Sequence, residues 1–136
     1  MSEEKSAFKV VLIGESGVGK TSIIERYDSN TFKSETKPTP GAQYKAKNIF
    51  LEEFKTDIKL EIWDTAGIEK YRALTRIFYK RTNAIILVYD ITKKSSFEKL
   101  IEYWIPDLKT NGDPNASKFI YISLIYFIFS FVSCWK

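Results

Sequence analysis

The stretch GESGVGKT, residues 14–21, sets Gly14, Gly19, Lys20 and Thr21 at the fixed points of the pattern G-x-x-x-x-G-K-S/T. Each residue type has a task in phosphate chemistry. Glycines let a loop wrap closely, so that backbone N–H groups point at phosphate oxygens while a following helix N-terminus adds positive potential. Glu15, Ser16, Gly17 and Val18 inside the loop, and Ser22 after it, belong to the same cradle. Lys20 brings a point charge to the outer phosphates, and the Thr21 hydroxyl is a suitable ligand for Mg²⁺. A second cluster, WDTAGIEKY, begins at Trp63. Its Asp64 can hold the same ion through water, and Gly67 offers a close-approach N–H for a terminal phosphate.

Such groups work only if strands and helices bring them together. FKVVLIG (residues 8–14) is a nearly continuous apolar run rich in β-branched residues, as suits a strand buried on both faces of a parallel sheet. SIIERYD then has the apolar spacing of a helix lying on that sheet. Residues 29–43 hold two prolines, a glycine and many polar residues, and read as a long loop of the kind that is usually functional. YKAKNIFLEEF and TDIKLEIWDT read as a hairpin turning near Lys55–Thr56. AGIEKYRALTRIFYKRT runs from a loop into a helix with Leu74, Ile77 and Phe78 on one face. AIILVYD is another buried strand. SSFEKLIEYWIPDL is another helix, with Ser95 or Ser96 as cap and Pro106 as its end or kink. The alternation implies a three-layer α/β fold with a mostly parallel sheet, whose ligands bind at the carboxyl ends of the strands. Gly14 and Asp64 both fall there.

Composition narrows the chemistry further. The 136 residues include no histidine, which removes the commonest metal ligand and acid–base group. A single cysteine, Cys134, excludes an internal disulfide and a zinc cluster. The net charge of +4 is spread among acidic residues rather than gathered in a stripe, so no nucleic-acid partner is expected. The start, MSEEKSAFKV, lacks the apolar core of a secretory signal and suits a cytoplasmic protein.

GESGVGKT, Thr39-Pro40-Gly41, WDTAG and VYDIT (residues 88–92) together resemble the Ras-superfamily small GTPases. KLEIWDTAG followed by EKYRALTRIFYKRTNAIILVYDIT is similar to the Rab branch in particular. The resemblance covers residues 8 to about 115 and implies a P-loop NTPase fold of the Ras-like type. It implies GTP and GDP as ligands with Mg²⁺ as cofactor, hydrolysis of GTP, and a switch in vesicle trafficking on the cytosolic face of endomembranes. By position, Phe32 would stack on the guanine base, and Thr39 would close over the γ-phosphate and ligate the ion. Residues 33–47 and 66–80 would be the segments that effectors, exchange factors and GTPase-activating proteins read.

Three departures accompany the resemblance. Ile68 stands where the family has a glutamine that orients the attacking water, and isoleucine has no hydrogen-bonding group. Beside Gly67 and Lys20, the third catalytic position is therefore blank, and slow hydrolysis is expected. Pro40 follows Thr39, where isoleucine or valine is usual; it biases Thr39 toward an extended backbone that is compatible with metal ligation. Beyond Asp113 there is no aspartate or glutamate, and beyond Asn115 no asparagine, so the Asn-Lys-x-Asp element that reads guanine is missing. Weakened guanine selectivity is expected. The expected organisation is a polar lead (1–7), a nucleotide domain incomplete at its C-terminus (8–117) and an apolar tail (118–136). The tail reads as a partial fifth strand, a membrane-associating segment or a non-native ending. Cys134 does not sit in a C-a-a-X ending. A second functional reading is a non-enzymatic interaction module that sequesters Rab partners.

Overall fold

The computed structural model describes residues 6–34 and 37–115, with the backbone of residues 118–123. Residues 1–5, 35–36, 116–117 and 124–136 lie outside that description, and with them Cys134 and the apolar run beyond Ser123.

Five strands form one sheet in the order β2-β3-β1-β4-β5. They are β1 (Ser6–Ile13), β2 (Ala42–Leu51), β3 (Thr56–Thr65), β4 (Ala84–Tyr89) and β5 (Lys118–Ser123). β1 pairs in parallel with both β3 and β4, β4 in parallel with β5, and only β2 runs antiparallel, as the outer arm of a hairpin with β3. The turn of that hairpin lies at Glu52–Lys55, where the Phe54 N–H donates to the Leu51 carbonyl at 3.2 Å. It falls beside the Lys55–Thr56 junction that the sequence suggests.

The continuous apolar run of β1 follows from its central place. Val10 and Leu12 face one side, where they pack with Val18, Ile23 and Ile24 at the start of α1 (Lys20–Ser29). Val11 and Ile13 face the other, against Ile85, Leu87, Tyr79, Leu100 and Trp104. Both faces are dry, so alternation disappears. Leu12 is buried to 1%, and truncating it to alanine would cost about 2–5 kcal/mol in transfer and cavity terms.

On the second face lie two helical regions. One consists of α2 (Arg72–Thr75) between the 3₁₀ turns Glu69–Tyr71 and Arg76–Tyr79. The other runs without a break through α3 (Lys94–Lys99), a π-helical turn (Leu100–Trp104) and α4 (Ile105–Asn111). In both regions the structure departs from the sequence reading. Leu74 and Ile77 are exposed, while Thr75 and Tyr79 turn inward. The segment changes helix type twice, so a 3.6-residue period cannot hold along it. The Tyr79 hydroxyl also reaches the buried Asp107 carboxylate at 3.0 Å, which draws that residue into the core. Pro106 does not end its helix. The loss of its N–H is absorbed upstream, where the Ile105 N–H donates to the Leu100 carbonyl five residues back. Neither serine caps α3, which begins after an extended Lys93. Ser96 instead accepts from the Asp90 N–H at 2.9 Å and donates to the Lys93 carbonyl at 2.8 Å, closing the turn after β4. Among the described residues, no helix is long and apolar enough to cross a membrane.

Candidate phosphate and metal site

Parallel pairing decides where the chemistry gathers. Leu12 of β1 lies in register with Asp64 of β3, so the glycine loop leaving β1 and the carboxylate ending β3 emerge side by side. The loop then reverses into α1 through Gly19, whose φ of 99° is a left-handed value that a β-carbon disfavours. No side chain caps α1, so its first N–H groups stay open to an incoming anion. Gly67 is required for a different reason. A β-carbon there would lie 2.3 Å from both the Glu15 carbonyl carbon and the Ser16 nitrogen. Only glycine lets the chain after β3 lie against the phosphate loop.

Lys20 is buried, and its ammonium donates to the Gly14 and Glu15 carbonyls at 2.9 and 2.8 Å. Burial lowers its pKa to about 8, against the Asp64 and Glu15 charges, which raise it. The Thr21 hydroxyl donates to Asp64 Oδ2 at 2.5 Å. With that proton committed, Thr39 is the donor in the 2.9 Å contact between the two threonine hydroxyls. Three residues from α1, the 30–41 loop and β3 thus converge within hydrogen-bond distance. Asp64 is 1% exposed, and burial holds its carboxyl above the usual range, although the Thr21 hydrogen bond and the Lys20 charge work the other way. Its second oxygen, Oδ1, is buried without a hydrogen-bond partner.

This donor set fits a hard divalent cation. Two hydroxyls and one carboxylate, all oxygen donors, suit Mg²⁺ that shares its remaining positions with phosphate oxygens and water. The unpaired Asp64 oxygen is the kind of buried group that such an ion or its water would satisfy. Among the described residues there is no cluster of three or more His, Cys, Asp or Glu side chains that would cage a metal with protein alone.

A cavity of about 230 Å³ opens beside these groups. Ser16, Gly17, Gly19, Lys20, Thr21, Ser22, Thr39 and Gly67 from the expected set line it. Phe32 lies at its wall, 57% exposed. Gly14, Glu15 and Val18 support the loop from behind, with Val18 packed in the core. Ile68 is half-buried with an extended backbone just past Gly67, and its side chain carries no polar atom toward the cavity. Sequence reasoning missed Lys33, Ser34, Lys37, Pro38 and Thr65, which also line the space. The available signal was the pair of lysines between Phe32 and Thr39. Among the described residues that line the cavity there is no carboxylate, and three of them, Lys20, Lys33 and Lys37, are lysines that give it positive potential.

Comparison with known proteins agrees with this geometry. The model of the Ras family matches residues 9–124. The Ras-related protein RABA1c of Arabidopsis thaliana is 44% identical over 108 residues, covering 79% of this chain and 49% of the relative. The GTP-binding protein ypt3 of Schizosaccharomyces pombe is 45% identical over 108 residues, with the same two shares. The Ras-related protein RabC of Dictyostelium discoideum is 42% identical over 106 residues, covering 78% of this chain and 54% of the relative. The chain spans about half the length of the curated relatives it matches. With its phosphate loop, its Asp64 strand end and a family match across most of its length, the chain belongs to the Ras family.

Proposed function

We propose that the chain binds guanine nucleotide with Mg²⁺ and acts as a Rab-type GTP/GDP switch in vesicle traffic, at the cytosolic face of endomembranes. One observation carries the reading: Lys20, Thr21, Thr39 and Asp64 converge beside a lysine-lined cavity with an aromatic ring at its wall. The ion, when bound, would neutralise phosphate charge. Thr21 and Thr39 would hold it directly and Asp64 through water. Lys20 would exchange its two carbonyl partners for phosphate oxygens, and Gly67 would present its N–H to the terminal phosphate. Phe32 would stack on the base. Residues 8–117 form the nucleotide-binding unit in this reading.

Hydrolysis is the slow step of the proposed cycle. Ile68 offers no atom to orient a water, so the bound GTP turns over slowly even beside an activating partner. The expected result for Ile68→Gln is a single-turnover rate about tenfold higher, with nucleotide affinity unchanged. Equal rates for the two forms would remove Ile68 from the argument.

Effectors, exchange factors and activating proteins would read residues 33–47 and 66–80. An aromatic ladder supports this surface. Tyr44 and Phe78 each lie 4.9 Å, centroid to centroid, from the Trp63 ring between them. The ladder joins the two segments, so a partner resting on it would sense both. Titration of the chain with fluorescent GTP and ATP analogues tests the whole reading. Micromolar or tighter Mg²⁺-dependent binding of GTP supports it, and no binding of either nucleotide sinks it.

A further inference from the structure

Glu15 sits at the second position of the phosphate loop, yet its carboxylate points away from the cavity toward two other elements. Oε1 accepts from Arg72 Nη2 at 2.8 Å and from Trp104 Nε1 at 2.9 Å. Arg72 is the first residue of α2, and Trp104 is the last residue of the π-helical turn. The Arg72 guanidinium also lies 4.3 Å from the Tyr103 ring centroid and 5.6 Å from that of Trp104. Its other acidic neighbour, Glu69, is 3.6 Å away and largely exposed. The side chains of Arg72 and Glu15 are 16% and 21% exposed, so their pair is shielded in a way that surface ion pairs are not.

The main chain of Glu15 is engaged as well. Its carbonyl accepts from Lys20, and its peptide to Ser16 is the surface on which Gly67 rests. One residue therefore touches the phosphate-binding lysine, the start of the 66–80 segment and the helix behind it. The π turn gives this arrangement its reach. An extra residue in the turn before Pro106 brings Leu100 and Trp104 inward together, with the indole N–H on Glu15.

We propose that Glu15 is a positioning residue that, through Arg72 and Trp104, latches the 66–72 segment to the phosphate loop and so couples the order of that segment to nucleotide retention. The latch itself is a feature of the fold; only its consequence for nucleotide rests on the function proposed above. Because two donors share one carboxylate oxygen, loss of either Glu15 or Arg72 releases the same contact. Their effects should therefore not accumulate.

Amide hydrogen exchange on the full 136-residue chain, without nucleotide, tests the latch with Glu15→Gln, Arg72→Gln, the double variant, Arg72→Lys and Trp104→Phe. In Arg72→Gln and in Glu15→Gln, exchange over residues 66–76 should rise about tenfold, with β4 unchanged. The double variant should be no faster than Glu15→Gln alone, because Glu15 is the shared acceptor of both contacts. Arg72→Lys, which keeps the charge without the planar fork, should recover only part of the protection. Should the Glu15 or Arg72 variants not fold, Trp104→Phe keeps an aromatic ring of smaller size, drops one donor and should raise exchange over residues 66–76 about threefold. Unchanged exchange over 66–76, independent effects that multiply, or a rise spread equally into β4 would overturn the proposal. With GDP bound, release from Arg72→Gln should be about tenfold faster. If the chain binds no guanine nucleotide, that arm fails with the function reading while the exchange result still decides the latch.

Discussion

The two ends of the cavity are built differently. At the phosphate end, Lys20 and Asp64 are buried, Thr21 and Thr39 meet them through hydrogen bonds, and a glycine loop fits without room for a β-carbon at Gly67. At the other end, where the proposed function places the base, Phe32 stands 57% exposed beside Lys33 and Ser34. In the proposed reading, recognition at the first end would be charge on charge in a sheltered place, where each bond counts for much. At the second it would be stacking, which every base satisfies. Under the function proposed above, the contrast leads to the expectation that triphosphates are held firmly and their bases read weakly.

The comparison breaks most readily at Lys20. Lys20→Ala should weaken nucleotide binding about 100-fold or more, since it removes charged hydrogen bonds from a buried site. A loss of less than tenfold by fluorescence titration would mean that the phosphate end does not dominate. The pH dependence should follow the same group. Its folded pKa of about 8 lies below the 10.5 of a free lysine, so the charge that phosphates need is lost as pH rises through 8. Affinity should be about tenfold weaker at pH 9 than at pH 7, and Lys20→Ala should abolish that dependence. For folding without nucleotide the sign is opposite. The unfolded chain binds this proton more tightly, so stability contributed by this group rises between pH 8 and pH 10.5.

Asp64 sharpens the contrast at a smaller scale. Its carboxyl is held above the usual range, so in the folded chain the charged form carries a cost that sets in as pH rises past 3.8. Asp64→Asn should remove that cost, raising the melting temperature without ligand by about 2–5 °C while Mg²⁺ ceases to strengthen nucleotide binding. A lower melting temperature in calorimetry would show that the carboxylate is stabilising instead. The smallest effect belongs to Phe32. Phe32→Ala should weaken GTP and ATP about fivefold each, because stacking does not distinguish them. A loss confined to GTP would reveal a base contact that the exposed ring does not suggest.

Much of the fold was legible in the sequence where one short-range cause dominated. The apolar run at β1, the glycine loop, the hairpin turn near Lys55 and the strand end at Asp64 all follow from local pattern and turn chemistry. The segment around Leu74 and Ile77 was misread because its helix type changes within eleven residues, Glu69 to Tyr79, under the pull of buried Tyr79 on Asp107. Of the two roles expected for Pro106, ending the helix is ruled out, because a π turn formed through a bond from Ile105 to Leu100 carries the helix past it, and such a turn leaves no mark in the residue pattern. Lys33 and Lys37 fall in the loop that reads as functional, yet nothing in their spacing marked them as the residues that line the cavity.

The sequence alone determined which chemistry is possible: phosphate-facing glycines, a lysine, two hydroxyls and a carboxylate, with isoleucine at position 68 and no acidic residue after Asp113. Those are matters of residue type and neighbour spacing. Only the tertiary structure decided which distant groups meet. Parallel register put Asp64 beside the loop, the approach to β2 brought Thr39 to Thr21, and the π turn carried Trp104 to Glu15, 89 positions away. Such contacts depend on how packed elements lie on a sheet, and side-chain spacing along one chain segment contains no term for that.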